Sequence, residues 1–517
     1  MELLFSLETL CAIPLCIWLL FHLFARRPSK PQTSHGLKTY PVLGCLPEFI
    51  KNRHRFLDWM TEVIRKQPSY TLTFRRPGKA PIIITCNPAN VDHVLKSNFD
   101  NYNKGYRSIS LLKDFLGRGI FNSDGELWKV QRKTASFEFN TKSLRNFVMD
   151  AVRREIGDRL LPLLSAVAED EQSTLDLQDA LERFAFDNVC KVAFNEDPAC
   201  LATGDAASGP VPGREFARAF EVASNLSAGR FMYAVPFFWK IKKSLNVGTE
   251  RRLKESISVV HDFATKIIRS RKQKMEKDSD SNANEDLLSR FMANYYTSEE
   301  FLRDIVVSFI LAGRDTTSSS LAWFFWLLSS RPDVEKKILD EVKAVRSRHT
   351  TNTGETFSYD ELREMQYLHA ALSESMRLYP PVVVNSRTAV EDDVLPDGTF
   401  VLKGWVVSYH TYSMGRMEGV WGPDCMEFLP ERWLENGVFR PESPSKYPVF
   451  HAGPRMCLGK EMAYIQMKSI AACVLERFEI EAVDKEKRPE PMLSLTMRIR
   501  DGLPVRVRKR GGAAAER

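Results

Sequence analysis

The sequence predicts a mainly α fold with a minor β region, built as a single large domain behind an N-terminal transmembrane anchor. Three observations predict it: an apolar segment at the amino terminus, a helical pattern over residues 297 to 330, and strand signals confined to short stretches. With 517 residues, 44% hydrophobic and 27% charged, the chain can bury a sizeable core and is neither disordered nor polytopic. Its net charge of +7 is dispersed, with Lys and Arg interspersed among Asp and Glu, which argues against nucleic acid as a partner. Only "RVRKR" (506 to 510) is a dense basic run; it reads as a solvated terminus, with weak contact to an anionic membrane as the alternative. The nine cysteines include no CxxC pair and are odd in number, which argues against a disulfide framework and a cysteine-only zinc site. The folded part is therefore expected in a reducing compartment.

Taken in order, "LLFSLETLCAIPLCIWLLFHLFA" (Leu3 to Ala25) would span about 34 Å as a helix at roughly 1.5 Å per residue, enough to cross a bilayer. Arg26, Arg27 and Lys30 follow it and no small-residue cleavage site is visible, so an uncleaved signal-anchor with the rest of the chain facing the cytosol is expected. A buried core helix is the alternative. The expected organisation is an anchor over 1–25, a basic, proline-rich neck over 26–47, the domain over 48–510 and a flexible tail over 511–517. In the neck, "RRPSKPQTSHG" and "YPVLGCLP" favour a stiff, extended connection. "YTLTF" (70 to 74) and "PIIITC" (81 to 86) read as strands, and the middle of the chain is helical in period. "KDSDSNANED" (277 to 286) reads as a surface loop, and residues 380 to 450 as strands and meandering loops.

The long helix opens on a Thr297/Glu300 capping box and ends before Pro332. In its centre, "AGRDTT" (312 to 317) places a glycine, a carboxylate and hydroxyls where burial is costly, so the cluster is either a satisfied polar kink or a working site. Glu374 and Arg377 share one helical face in "LSESMRLYPP"; alone they read as a surface ion pair, and Arg432 in "FLPERW" as a solvent-facing arginine. In "FHAGPRMCLGKEMAYIQM" (450 to 467), Cys457 stands between two glycines and ahead of a helix. A thiolate needs a metal or positive surroundings at neutral pH, and the helix N–H groups, Arg455 and close backbone approach at Gly453 and Gly459 would supply them. A thiolate ligand to haem iron uses one lone cysteine in this manner, with a buried structural cysteine as the alternative.

"FHAGPRMCLG" resembles the FxxGxRxCxG haem signature of the cytochrome P-450 superfamily through Phe450, Gly453, Arg455, Cys457 and Gly459. AGxDT, ExxR and the PERW-type motif follow in that superfamily's order, so the resemblance covers nearly the whole chain after the anchor. It implies haem b (iron protoporphyrin IX) with Cys457 as axial ligand, and propionates held by Trp128, Arg132 and Arg455, with Arg387 as a further candidate. It implies that Glu374, Arg377 and Arg432 lock the proximal core. Asp315 and Thr316 would form an acid-alcohol pair delivering protons to dioxygen, with Gly313 opening the helix beside it.

Several stretches, among them "SFILAGRDTTSSSLAWFFWLL" and "ALSESMRLYPPV", are most similar to the plant fatty-acid omega-hydroxylases, a group that also oxidises jasmonoyl-amino acids. "VVVNSRTA" carries Asn385, Ser386 and Arg387 where fatty-acid members often carry Asp-Ser-Lys; it departs at Asn385 and Arg387 and, with three valines ahead, leaves room for a bulkier apolar substrate. The implied activity is oxygen insertion at the end of a long-chain fatty acid or a steroid side chain, then a jasmonoyl conjugate, stopping at the alcohol or continuing to the aldehyde or acid. Expected specificity residues are Ser108, Leu111, Leu112 and Phe115 in the loop before Trp128, Phe309 and Thr317 on the long helix, and Val382, Val383 and Val384. No flavin or nicotinamide fingerprint is present, so electrons must come from a partner. The resemblance implies a membrane-bound NADPH reductase carrying FAD and FMN at the endoplasmic reticulum; Lys129, Lys133, Lys446, Lys460 and Lys468 could form its basic docking face, with a merely solvated face as the alternative. Two rival readings are a hydroperoxide-rearranging haem isomerase, against which Asp315 and Thr316 count, and a lipid-binding protein without turnover.

Overall fold

The computed structural model describes residues 32–34, 37–40, 43–76, 79–137, 139, 147–201, 213–233, 237–277, 286–294, 298–349 and 354–511. The expected anchor, most of the loop at 277–286 and residues 512–517 lie outside these. Among the described residues no helix is long and apolar enough to cross a membrane. The carboxyl end of the neck packs onto the domain: Gln32–Ser34 pairs with Leu37–Thr39, Leu37 and Cys45 are buried, and a helix begins at Leu46.

Helices dominate, as expected, and the strands gather in small sheets. The largest has five strands in the order Thr71–Phe74, Ile82–Thr85, Val406–Tyr409, Asn385–Ala389, Tyr102–Asn103. Only the pairing of Ile82–Thr85 with Val406–Tyr409 is parallel. Ile82–Thr85 is β-branched throughout, Val406–Tyr409 opens on two valines, and both are largely buried, as suits strands in the middle of a sheet. A second sheet has Pro504–Lys509 between Phe478–Ala482 and Leu175–Asp176. The basic run at 506–510 is therefore no solvated terminus. Val505 and Val507 are buried, and Arg508, Lys509 and Arg510 pair with Glu481, Glu169 and Glu335.

The central helix runs Glu299–Ile310, widens into a π segment over Leu311–Asp315, and continues as Thr316–Ser329. Its cap differs from the expected one: the Ser298 hydroxyl accepts the Phe301 N–H, and Thr297 lies outside the described residues. The widening falls on the polar cluster because hydroxyls compete there for backbone carbonyls. Thr316 Oγ1 donates to Ala312 O at 2.7 Å and Ser318 Oγ to Arg314 O at 2.8 Å. The second half is buried nearly all round and packs on helices Leu177–Phe194, Gln366–Leu378 and Lys460–Arg477. Burial of Leu321, Phe324 and Leu328 contributes about 1.5–3 kcal/mol each, which anchors the polar segment at a set height in the fold.

Candidate active site

The cysteine loop is closed by its own backbone. Cys457 N–H donates to Phe450 O at 2.8 Å, and Gly453 adopts φ +63°, where a Cβ would lie 1.9 Å from Leu95 O. Gly459 then caps helix Lys460–Arg477. The Cys457 surface opens onto a central cavity while protein surrounds it at longer range. Burial raises the thiol pKa most; the Gly459 N–H and the charges of Arg132 and Lys460 oppose that, so the loop partly stabilises a thiolate that only a cation could complete.

That cavity holds about 540 Å³ and is largely apolar, within the usual range of small-molecule sites. Opposite the loop it is walled by the central helix through Phe309, Ala312, Gly313, Thr316 and Thr317. Val382, Val383 and Val384 enter from the segment after helix Gln366–Leu378, and Ser108 and Leu112 from helix Gly105–Leu116. Trp128, Arg132, Arg387, Phe450, Arg455 and Gly459 also line it, so the expected cofactor residues converge, with one exception. Gly453 lies off the lining and shapes the turn against Leu95 instead.

The basic rim is distinctive. Arg387 is fully buried, and its Nε and Nη2 have no hydrogen-bond partner among the described residues. Arg455 stacks 4.2 Å over the Trp128 ring and donates to Asp124 at 2.7 Å, leaving its buried Nε unbonded. Burial, then Arg387, lowers the Arg455 pKa to about 10, while Asp124 opposes the shift. Lys104, half-buried beside Arg387 and Arg455, has its pKa pushed well down, by burial first. Lys104 and Asp124 escape sequence reading because no spacing relates them to the cysteine loop.

On the proximal side the opposite holds. Glu374 and Arg377, both with wholly buried side chains, form two hydrogen bonds of 2.7 Å. Glu374 also accepts from Arg432 at 3.4 Å, Trp433 Nε1 at 2.9 Å and Leu429 N–H at 3.0 Å. Arg377 donates onward to the carbonyls of Cys425, Glu427 and Gly415. The pair is no surface contact, and the three residues meet as the resemblance implies.

Three expectations need correction and one, at Gly313, is extended. Asp315 does not line the cavity: its carboxylate pairs with Arg314 at 2.6 Å, and Arg314 in turn with Glu182 at 2.8 Å, so only Thr316 of the acid-alcohol pair faces the site. Gly313 lines the cavity, but a Cβ there would meet Val189 Cγ2 at 2.5 Å, so its smallness also lets a neighbouring helix approach. The segment holding Ser108 is a helix rather than a loop, so positions 108 and 112 face the cavity. Leu111 and Phe115 turn away, with Leu111 O accepting from Arg230 and Phe115 packing on Phe220. Lys468 is buried and cannot dock a partner; burial lowers its pKa to about 8.

A predominantly helical domain whose loop cysteine faces a central helix across an apolar, arginine-rimmed cavity has the arrangement of a haem-thiolate protein. The family model described as Cytochrome P450 matches residues 35–503. Cytochrome P450 CYP94D108 of Paris polyphylla is 54% identical over 472 residues, covering 91% of this chain and 92% of that protein. Cytochrome P450 94A2 of Vicia sativa is 45% identical over 507 residues, with 95% and 96% covered, and cytochrome P450 94B1 of Arabidopsis thaliana 46% over 510, with 97% of each. The chain belongs to the cytochrome P450 family, and these relatives agree with the resemblance to the plant omega-hydroxylase group. The family's group is haem b, used with O2 and with NADPH electrons through a reductase. The residues here fit it: Arg387 and Arg455 hold unspent buried donors for two propionates, and Cys457 supplies the only cavity-lining thiol among the described residues. When bound, haem supplies the oxygen activation.

Proposed function

We propose that this monooxygenase inserts one oxygen atom at the terminal C–H bond of a lipophilic chain, on a long-chain fatty acid or a steroid side chain, with a jasmonoyl-amino acid as the third candidate. One atom of O2 enters the C–H bond and the other leaves as water, consuming two electrons from NADPH and two protons. The observation that carries this reading is one cavity holding Cys457 in one wall and Phe309, Thr316 and Val382 to Val384 in another. The apolar side chains orient a chain end and exclude water, so geometry rather than bond strength selects the carbon attacked. Thr316 presents a hydroxyl that donates to Ala312 O and keeps lone pairs for holding a proton at Oγ1. Asp315 acts through its pairing with Arg314 and is a positioning residue.

Electrons would arrive from an NADPH reductase carrying FAD and FMN at the endoplasmic reticulum membrane. Lys129 and Lys133 are exposed, and Lys446 and Lys460 partly so, which supports a basic docking face with Lys468 removed from it. The reading is tested with microsomes holding this chain, reductase and NADPH, offered a long-chain fatty acid, a jasmonoyl-amino acid and a hydroxylated sterol. Terminal hydroxylation of one, identified by mass and dependent on reductase, is expected; oxidation only within the chain, or turnover without reductase, overturns it.

A further inference from the structure

The same cavity holds a second pair of cations that the haem does not explain. Arg76, from the end of strand Thr71–Phe74, and Arg107, from helix Gly105–Leu116, both line it. Arg76 is 8% exposed, and its Nε and Nη1 have no hydrogen-bond partner among the described residues; the same is true of the buried Nη1 of Arg107. Neither forms an ion pair within the described residues. The Arg76 guanidinium stacks 4.7 Å from the Phe49 ring centroid and 5.5 Å from that of Phe74, which fixes its plane and leaves its N–H edge unspent.

Arg76 and Arg107 act on each other, and Arg455 acts with Arg387 and Arg132. The field around the first pair is strongly positive: Lys79, beside both, has its pKa lowered to about 7 by burial, then by Arg76 and Arg107. A buried guanidinium without a counter-charge is expensive, and a planar fork of donors matches a carboxylate. The cavity lining is largely apolar, so an anion held by this pair would place its hydrocarbon chain in the space that Cys457 also lines.

We infer that Arg76 and Arg107 form a carboxylate anchor, so that the substrate is a lipophile with an acid at one end and is oxidised at the other. The inference rests on the terminal-oxidation reading above and chooses within it, favouring a free fatty acid or an amino-acid conjugate over a neutral steroid. Its test uses the haem-loaded full chain. Dissociation constants are measured by calorimetry for oleic acid against methyl oleate, and for a jasmonoyl-amino acid against its methyl ester. Whichever acid is the ligand is expected to bind roughly ten- to a hundredfold tighter than its ester. Arg76→Gln and Arg107→Gln are expected to erase that preference with haem content unchanged, and Arg76→Lys to keep part of it. If Arg76→Gln yields no haem-loaded protein, Arg107→Gln at the less buried member gives the same reading. Esters binding as tightly as acids, or an acid preference surviving both substitutions, overturns the anchor. Product position separates the two readings. Acid-selective binding with oxygen inserted only inside the chain removes terminal oxidation and supports the anchor; terminal oxidation of a neutral sterol without acid preference does the reverse.

Discussion

The protein buries arginines in two contrasting ways. On the proximal side Arg377 spends its donors on protein: both carboxylate oxygens of Glu374 and three backbone carbonyls close around it. Around the cavity, Arg387, Arg455 and Arg76 are also buried or nearly so, yet each keeps guanidinium nitrogens that touch no acceptor among the described residues. A buried donor left unmade costs about 1–3 kcal/mol, more when charged. A fold can carry that cost only where another molecule removes it. Arg377 thus serves structure, whereas the unspent nitrogens of Arg387, Arg455 and Arg76 face the cavity where ligands would sit.

The comparison breaks if the two kinds of arginine respond alike to truncation. Arg377→Ala is expected to have the largest effect, costing about 3–5 kcal/mol because Glu374 stays buried with its main partner gone. Little folded protein should be recovered, with or without added haem; normal yield would show the pair to be dispensable. Thr316→Ala should leave folding and haem content intact and lower product formed per NADPH by up to about a hundredfold, with peroxide rising in its place. Unchanged coupling would remove the hydroxyl from proton handling. Arg387→Ala should lower haem affinity roughly tenfold or more while the melting temperature of haem-free protein holds or rises, since an uncompensated charge is removed. A matching loss of haem-free stability would place Arg387 with Arg377.

Sequence patterns reveal sites whose chemistry is local. Cys457, Gly453 and Gly459 sit in one loop and Glu374 and Arg377 on one helical turn, so spacing alone brings them together; Cys457 and Gly459 line the cavity, Gly453 shapes the turn behind it, and the ion pair is buried rather than on the surface. Thr316 and Asp315 are adjacent, but a helix turns successive residues about 100° apart, so one faces the cavity and the other its Arg314 partner. Leu111 and Phe115 fail for the same reason: reading their segment as a loop discards the rotation that separates them from Ser108 and Leu112. Lys468 fails because helix Lys460–Arg477 is enclosed on nearly every face, which its polar residues conceal. Lys104, Asp124, Arg76 and Arg107 come from segments hundreds of residues from Cys457. Only the folded arrangement shows that Lys104, Arg76 and Arg107 share its cavity and that Asp124 pairs with Arg455 on its rim.

His410 offers the smallest and most finely graded test of the idea that cavity groups are left unsatisfied. It is 2% exposed, lines the cavity, and its Nδ1 has no partner among the described residues. Burial alone lowers its pKa to about 3. Between about pH 6.5 and 3 the unfolded chain therefore binds a proton that the native protein refuses, so stability falls as pH falls, by up to about 1.4 kcal/mol per unit. His410→Leu removes that term. The gap between melting temperatures at pH 7 and pH 5 should then narrow by a few degrees, in proportion to about 2 kcal/mol. An unchanged gap would mean that His410 takes up a proton in the folded state. Its nitrogen would then have an acceptor to receive the new N–H, and at this position the cavity wall would resemble the satisfied proximal side.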